Sequence, residues 1–130
     1  MRATLLCAAG ALVAATLAAP ASALTVNPGD CAEGADFIRN AALSRDNGAP
    51  AEMFLSRLDQ DLQAIRAFPP ALRWFAQDDD DAALLRAGAA AVFAEPRDAE
   101  QHHRAFLAQC HAAVARSAGP LTRADETPPR

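Results

Sequence analysis

The chain has 130 residues, and its 12 basic residues, set against 16 acidic ones for a formal charge of -4, are all arginine. Lysine and tyrosine are absent, which excludes Schiff-base chemistry, a tunable lysine base and a phenolic acid or nucleophile. The length allows one domain, and the abundance of alanine leaves its core to a limited set of Leu, Ile, Val, Met and Phe side chains.

Residues 1–23 carry Arg2, an uncharged run rich in Ala, Leu and Val, and then Pro20, Ala21, Ser22 and Ala23, with small residues where signal peptidase requires them. The pattern predicts a secretory signal cleaved after Ala23. The apolar run is short for a membrane span and no basic stop-transfer cluster follows it. Neither Cys7 nor Cys31 lies in a lipobox, so a lipoprotein is not expected. Cleavage removes Arg2 and Cys7, leaving an exported chain that is more acidic by one charge and a poor match for nucleic acid. Two thiols remain, Cys31 and Cys110, and an oxidising compartment pairs them as one disulfide. The loop it closes is long enough for a chain-entropy stabilisation of about 4 kcal/mol. A redox or metal role is not indicated, because neither cysteine is in C-x-x-C and no zinc-like ligand spacing surrounds them.

Every periodic segment of the mature chain is helical. A first helix is expected to start at Asp30, capped with Glu33, and to bury Cys31, Ala35, Ile38 and Ala42 before ending at Asn47 and Gly48. A second opens at Pro50 and runs to about Ala67, with Ala51, Leu55, Leu58, Leu62 and Ile65 as its apolar stripe. Phe68, Pro69 and Pro70 stop it, and residues 71–76 read as a short helix. The four aspartates Asp78, Asp79, Asp80 and Asp81 fit the cap and solvated first turn of a fourth helix that runs to Phe93 and buries Leu84, Leu85, Gly88 and Val92. Asp98 and Gln101 form a cap pair for the last helix, which runs to about Arg116 and is expected to bury His103, Phe106, Leu107, Cys110, Ala113 and Val114. Gly119 and Pro120 end it, and residues 120–130 read as a disordered polar tail. The fold class is therefore all-α, a small bundle of four to five helices over residues 24–119, with first and last helices joined by the disulfide.

Catalytic patterns are lacking. His103 and His111 are about 80° apart around the helix and two turns apart in height, His102 and His111 lie on opposite sides, and no i, i+4 pair of histidines exists. The aspartate run lacks the calcium-loop pattern. No serine lies in G-x-S-x-G, and no glycine-rich phosphate loop occurs. The most distinctive patch is residues 68–75, F-P-P-A-L-R-W-F, which concentrates the only tryptophan and two phenylalanines at a bend. It reads either as core closing one end of the bundle or, through Phe68, Arg73, Trp74 and Phe75, as an aromatic anchor for a protein partner.

At Cys31, Ala42, Arg45, Asp46 and Gly48, and at the closing Phe106, Leu107 and Cys110, the chain resembles a largely uncharacterised group of small secreted helical proteins of proteobacteria. The resemblance covers about residues 31–110 and implies a helical fold, export and one disulfide, without supplying an active site. For Arg45 and Asp46 the residues themselves suggest a structural polar contact at the helix end. The expectation is a non-enzymatic, cofactor-free interaction module in the periplasm or secreted from a Gram-negative bacterium, binding another protein and not inserted in the membrane. A periplasmic acid-stress chaperone or an inhibitor or immunity-like protein is the alternative, and a metal-dependent enzyme the remote one.

Overall fold

A computed structural model describes residues 24–119; the expected signal peptide and tail lie outside the described residues. Four α-helices follow one another: α1 (Pro28–Asp46), α2 (Ala51–Ile65), α3 (Asp79–Ala94) and α4 (Ala99–Ser117), with one 3-10 turn at Pro70–Leu72 between α2 and α3. No strand occurs among the described residues. The chain is thus the all-α, disulfide-stapled bundle that its periodicity predicts. None of the described helices is long and apolar enough to cross a membrane.

Helix boundaries follow from local chemistry. α1 starts three residues earlier than its apolar stripe suggests, because Asn27 is the cap and Asp30 its partner. The Asn27 side chain accepts from the Asp30 N–H at 3.0 Å, and the Asp30 carboxylate accepts from the Asn27 N–H at 2.8 Å. Pro28 in the first turn lacks the N–H that would otherwise be orphaned there. Gly48, at φ 91°, ends α1 as expected. Asp98 and Gln101 form the anticipated reciprocal pair at the start of α4. The expected short helix over residues 71–76 is reduced to the single turn ahead of Arg73, since that guanidinium binds loop carbonyls instead.

The core is organised on α1. This helix packs most extensively on α4 and also on α3, while α2 lies against α3. Cys31 and Cys110, both fully buried, join α1 to α4 with their Cα atoms 5.6 Å apart. Ile38, Leu85 and Val92 are fully buried, and the larger Phe75 and Phe106 rings are almost so. Two glycines let an aromatic side chain approach the helix backbone: a Cβ on Gly34 would lie 2.5 Å from the Phe75 ring, and one on Gly88 would lie 2.6 Å from the Phe106 ring.

The register of α4 differs from expectation at its first turn. His102, not His103, is buried, in line with Phe106, Cys110 and Ala113. The inward position has a polar partner that periodicity could not supply: His102 Nε2 is 3.3 Å from Arg45 Nη1. His103 sits half-buried at the side, 3.2 Å from Asp36. Arg45 has the structural role expected of it, donating to the carbonyls of Val92 at 2.7 Å and Arg97 at 2.9 Å and so closing the C-terminal end of α3.

Candidate functional site

The segment between α2 and α3 is shaped by one arginine and one strained residue. Arg73 donates from Nε to the Phe68 carbonyl (2.9 Å), from Nη1 to that of Gln77 (2.7 Å) and from Nη2 to that of Arg66 (3.1 Å). These bonds satisfy the backbone of a stretch that forms no long helix after two prolines. Phe75 takes a positive φ of 54°, the left-handed region that a bulky side chain avoids. Its ring compensates by being almost wholly buried, packed on Phe106 and close over Gly34.

Trp74 stands on the other side of this bend. Its ring packs on Phe37 of α1, with centroids 5.6 Å apart, and its Nε1 donates to the Glu33 carboxylate at 3.0 Å. It nevertheless remains 37% exposed. The exposed part borders an open groove of about 350 Å³ lined by Phe37, Leu58, Asp61, Leu62, Ile65 and Trp74. Leu58, Leu62 and Ile65 recur at i, i+4 and i+7 on α2, giving the groove a straight apolar edge about 10 Å long. Asp61 is the one charged residue in that lining, and Arg57 pairs with it one turn earlier at 3.1 Å.

The four residues singled out in the aromatic patch therefore separate. Trp74 lines the groove; Phe75 is core; Arg73 is committed to three carbonyls; Phe68 is 53% exposed and lies outside the groove lining. The groove also uses Phe37 and the Leu58, Leu62 and Ile65 stripe. Their apolar periodicity was legible, but it could not tell a face buried in the bundle from one left partly open.

A second, larger cleft of about 690 Å³ lies between the end of α2 and the start of α3, lined among others by Arg66, Arg73, Gln77, Asp78 and Asp79. Within it Arg66 pairs with Asp79 and Arg73 is held by loop carbonyls; in the adjoining cleft Arg86 binds Asp59 through two nitrogens at 2.7 and 3.1 Å, tying α2 to α3. The four aspartates divide by role. Asp78 caps α3, accepting from the N–H groups of Asp80 and Asp81, and its second oxygen accepts from the Thr25 hydroxyl. Burial acts to raise its pKa, but those hydrogen bonds outweigh burial and hold it below the usual carboxylate value.

Asp81 departs from the expected solvated first turn. It is fully buried, with Oδ1 accepting from the Thr25 N–H and Oδ2 from the Gln77 N–H, each at 3.0 Å. Burial pushes its pKa up in spite of these bonds, and the neighbouring Asp78 charge adds to the rise. The helix-start reading holds for this run, while its inward member is a tether for two separate segments. Among the described residues no three His, Cys, Asp or Glu side chains are grouped so as to hold a metal ion.

Comparison with protein-family models, curated proteins and solved structures returned no match.

Proposed function

We propose that this chain is an exported, non-enzymatic interaction module whose groove between α1 and α2 receives an amphipathic helix of a partner protein. The observation that carries this reading is the apolar groove itself, floored by the buried Leu58 and Leu62 and rimmed by the half-exposed Ile65 and the fixed ring of Trp74. An edge of two helical turns fits a helix presenting anchors at i, i+3 or i+4, and i+7. Aromatic anchors in such grooves carry a large share of the binding energy, and the Glu33 bond holds Trp74 in place before any partner arrives.

Charge selects the partner further. The chain is acidic overall, and Asp61 in the groove lining and Glu33 at the Trp74 ring are both acidic, so an apolar helix flanked by basic residues is the complementary ligand. The signal-peptide pattern and the disulfide support a periplasmic or secreted setting for this encounter.

A photo-reactive residue placed at Asp61 tests the proposal in the exported protein, with the same residue at Gln109 on α4 as the control. An adduct from position 61 and not from 109, mapping to a basic amphipathic segment and lost in Trp74→Ala while the melting temperature is retained, is the expected result. Equal labelling from both positions, or none from position 61, contradicts it.

A further inference from the structure

The four residues that begin the described chain are all built into the bundle. Leu24 packs against the core and its backbone nitrogen donates to Ser117 Oγ at 2.7 Å. The Thr25 N–H donates to Asp81 and its hydroxyl to Asp78; the Val26 side chain is buried; the Asn27 side chain caps α1. Immediately before them stand the small residues Ala21, Ser22 and Ala23 that a signal peptidase requires. A cut even two residues further on would remove the Leu24 and Thr25 anchors, whereas a cut after Ala23 keeps every one.

We propose that cleavage between Ala23 and Leu24 completes the fold: the new α-ammonium of Leu24 binds Ser117 and closes the C-terminal end of α4. This inference rests on the export reading above and assigns the new chain end a structural seat. The hydrolysis adds water across the Ala23–Leu24 amide, leaving a carboxylate on Ala23 and an ammonium on Leu24. An amide N–H with one proton to donate becomes a charged group with three. Ser117 is the last residue of α4 and its hydroxyl donates back to the Ala113 carbonyl at 3.0 Å, so a cation there meets the negative end of the helix dipole. Arg116, in the same last turn, opposes the new charge; Asp78 and Asp81 at the start of α3, which hold Thr25, favour it; Asp30 is engaged in the cap of α1.

The sign follows. An ammonium stabilised in the folded state has a raised pKa there, so its contribution is complete below the ordinary α-amino range and is lost as pH rises through the folded value. The test compares protein recovered after export with the same chain made without its leader and starting Met–Leu24, in which the Leu24 nitrogen is again an amide. Intact mass and N-terminal sequencing should place the first residue of the exported protein at Leu24. Its melting temperature should exceed that of the Met-extended form by about 2–6 °C at pH 6.5, with the difference vanishing above about pH 9.5. Titration followed by NMR should place its α-amino group above about 8, and Ser117→Ala should return it to the ordinary range. A Leu24 terminus with an ordinary α-amino pKa and no difference in melting overturns the proposed seat and leaves the export reading standing. An uncleaved chain, or a cut elsewhere, overturns both.

Discussion

Asp81 and Asp78 lie three residues apart and respond to acid in opposite senses. Asp78 is held below the usual carboxylate value, so its contribution to stability is present above pH 3.8 and is lost as pH falls through its folded pKa. Asp81 is raised by burial, so its contribution is present below pH 3.8 and is lost as pH rises through its folded pKa. Asp78→Ala should cost about 1 kcal/mol at pH 6 as a lost helix cap, and chemical denaturation should show that difference closing as pH falls below 3.8. Asp81→Ala should cost most below pH 3.8, about 1–3 kcal/mol for each of the Thr25 and Gln77 N–H groups deprived of its acceptor, and less at pH 6, where the buried carboxylate carries its desolvation penalty.

Close packing gives a further check at the same scale. In Gly88→Ala the new methyl meets the ring of Phe106 well inside contact distance, and Phe106 is buried and packed on Phe75 and Gly34 as well. The expected cost in a denaturant titration is about 1–3 kcal/mol, against the usual gain from alanine in a helix. The Asp78 cap was legible from the sequence; the burial of Asp81 and the close approach at Gly88 were not. Gly88 stood in an apolar stripe as one more small residue, and Asp81 looked like the fourth of four solvated aspartates. What sets both apart is a partner distant in the chain, Phe106 for the one and Thr25 for the other.

At the scale of elements, the local signals read well wherever the determining chemistry was local. Asp98 with Gln101, Asn47 with Gly48 and the break at Pro69 and Pro70 all fall where the sequence places them. The start of α1 and the first turn of α4 shifted because Asn27 with Asp30, and Arg45 with His102, made contacts that outweighed hydrophobic spacing. The candidate groove was half legible: Trp74 was distinctive, and the α2 stripe was present, but their meeting depends on the Arg73 clamp and the positive φ of Phe75. Ile65 is half-buried in the groove whereas Leu58 and Leu62 are buried. Ile65→Asp should therefore abolish partner binding while lowering the melting temperature far less than Leu62→Asp, as thermal unfolding of the two variants beside wild type would show.

For the whole molecule, the disulfide between the first and last helices holds together a bundle whose core sets a few large Ile, Leu, Val and Phe side chains among small alanines. Cys31 and Cys110 lie 79 residues apart, and opening the bond should cost about 4 kcal/mol through the loop it releases. Unfolding in urea with and without reductant measures that loss, and a difference below about 1 kcal/mol would show that helix packing suffices without it. The staple fixes α1 against α4, whereas α2 is attached at the edge through α3 and the Arg86 to Asp59 and Arg66 to Asp79 pairs. A rigid wall facing a less deeply embedded helix is a suitable frame for a groove that must admit a guest.

The chain's only tryptophan lies in that groove, so its fluorescence reports on occupancy without a label. Titration with an amphipathic helical peptide bearing basic flanks should give a saturable blue shift of Trp74 emission that weakens as salt is raised, while the same apolar face with acidic flanks should give little change. An unchanged spectrum with the basic peptide, or equal responses to both, would contradict the account.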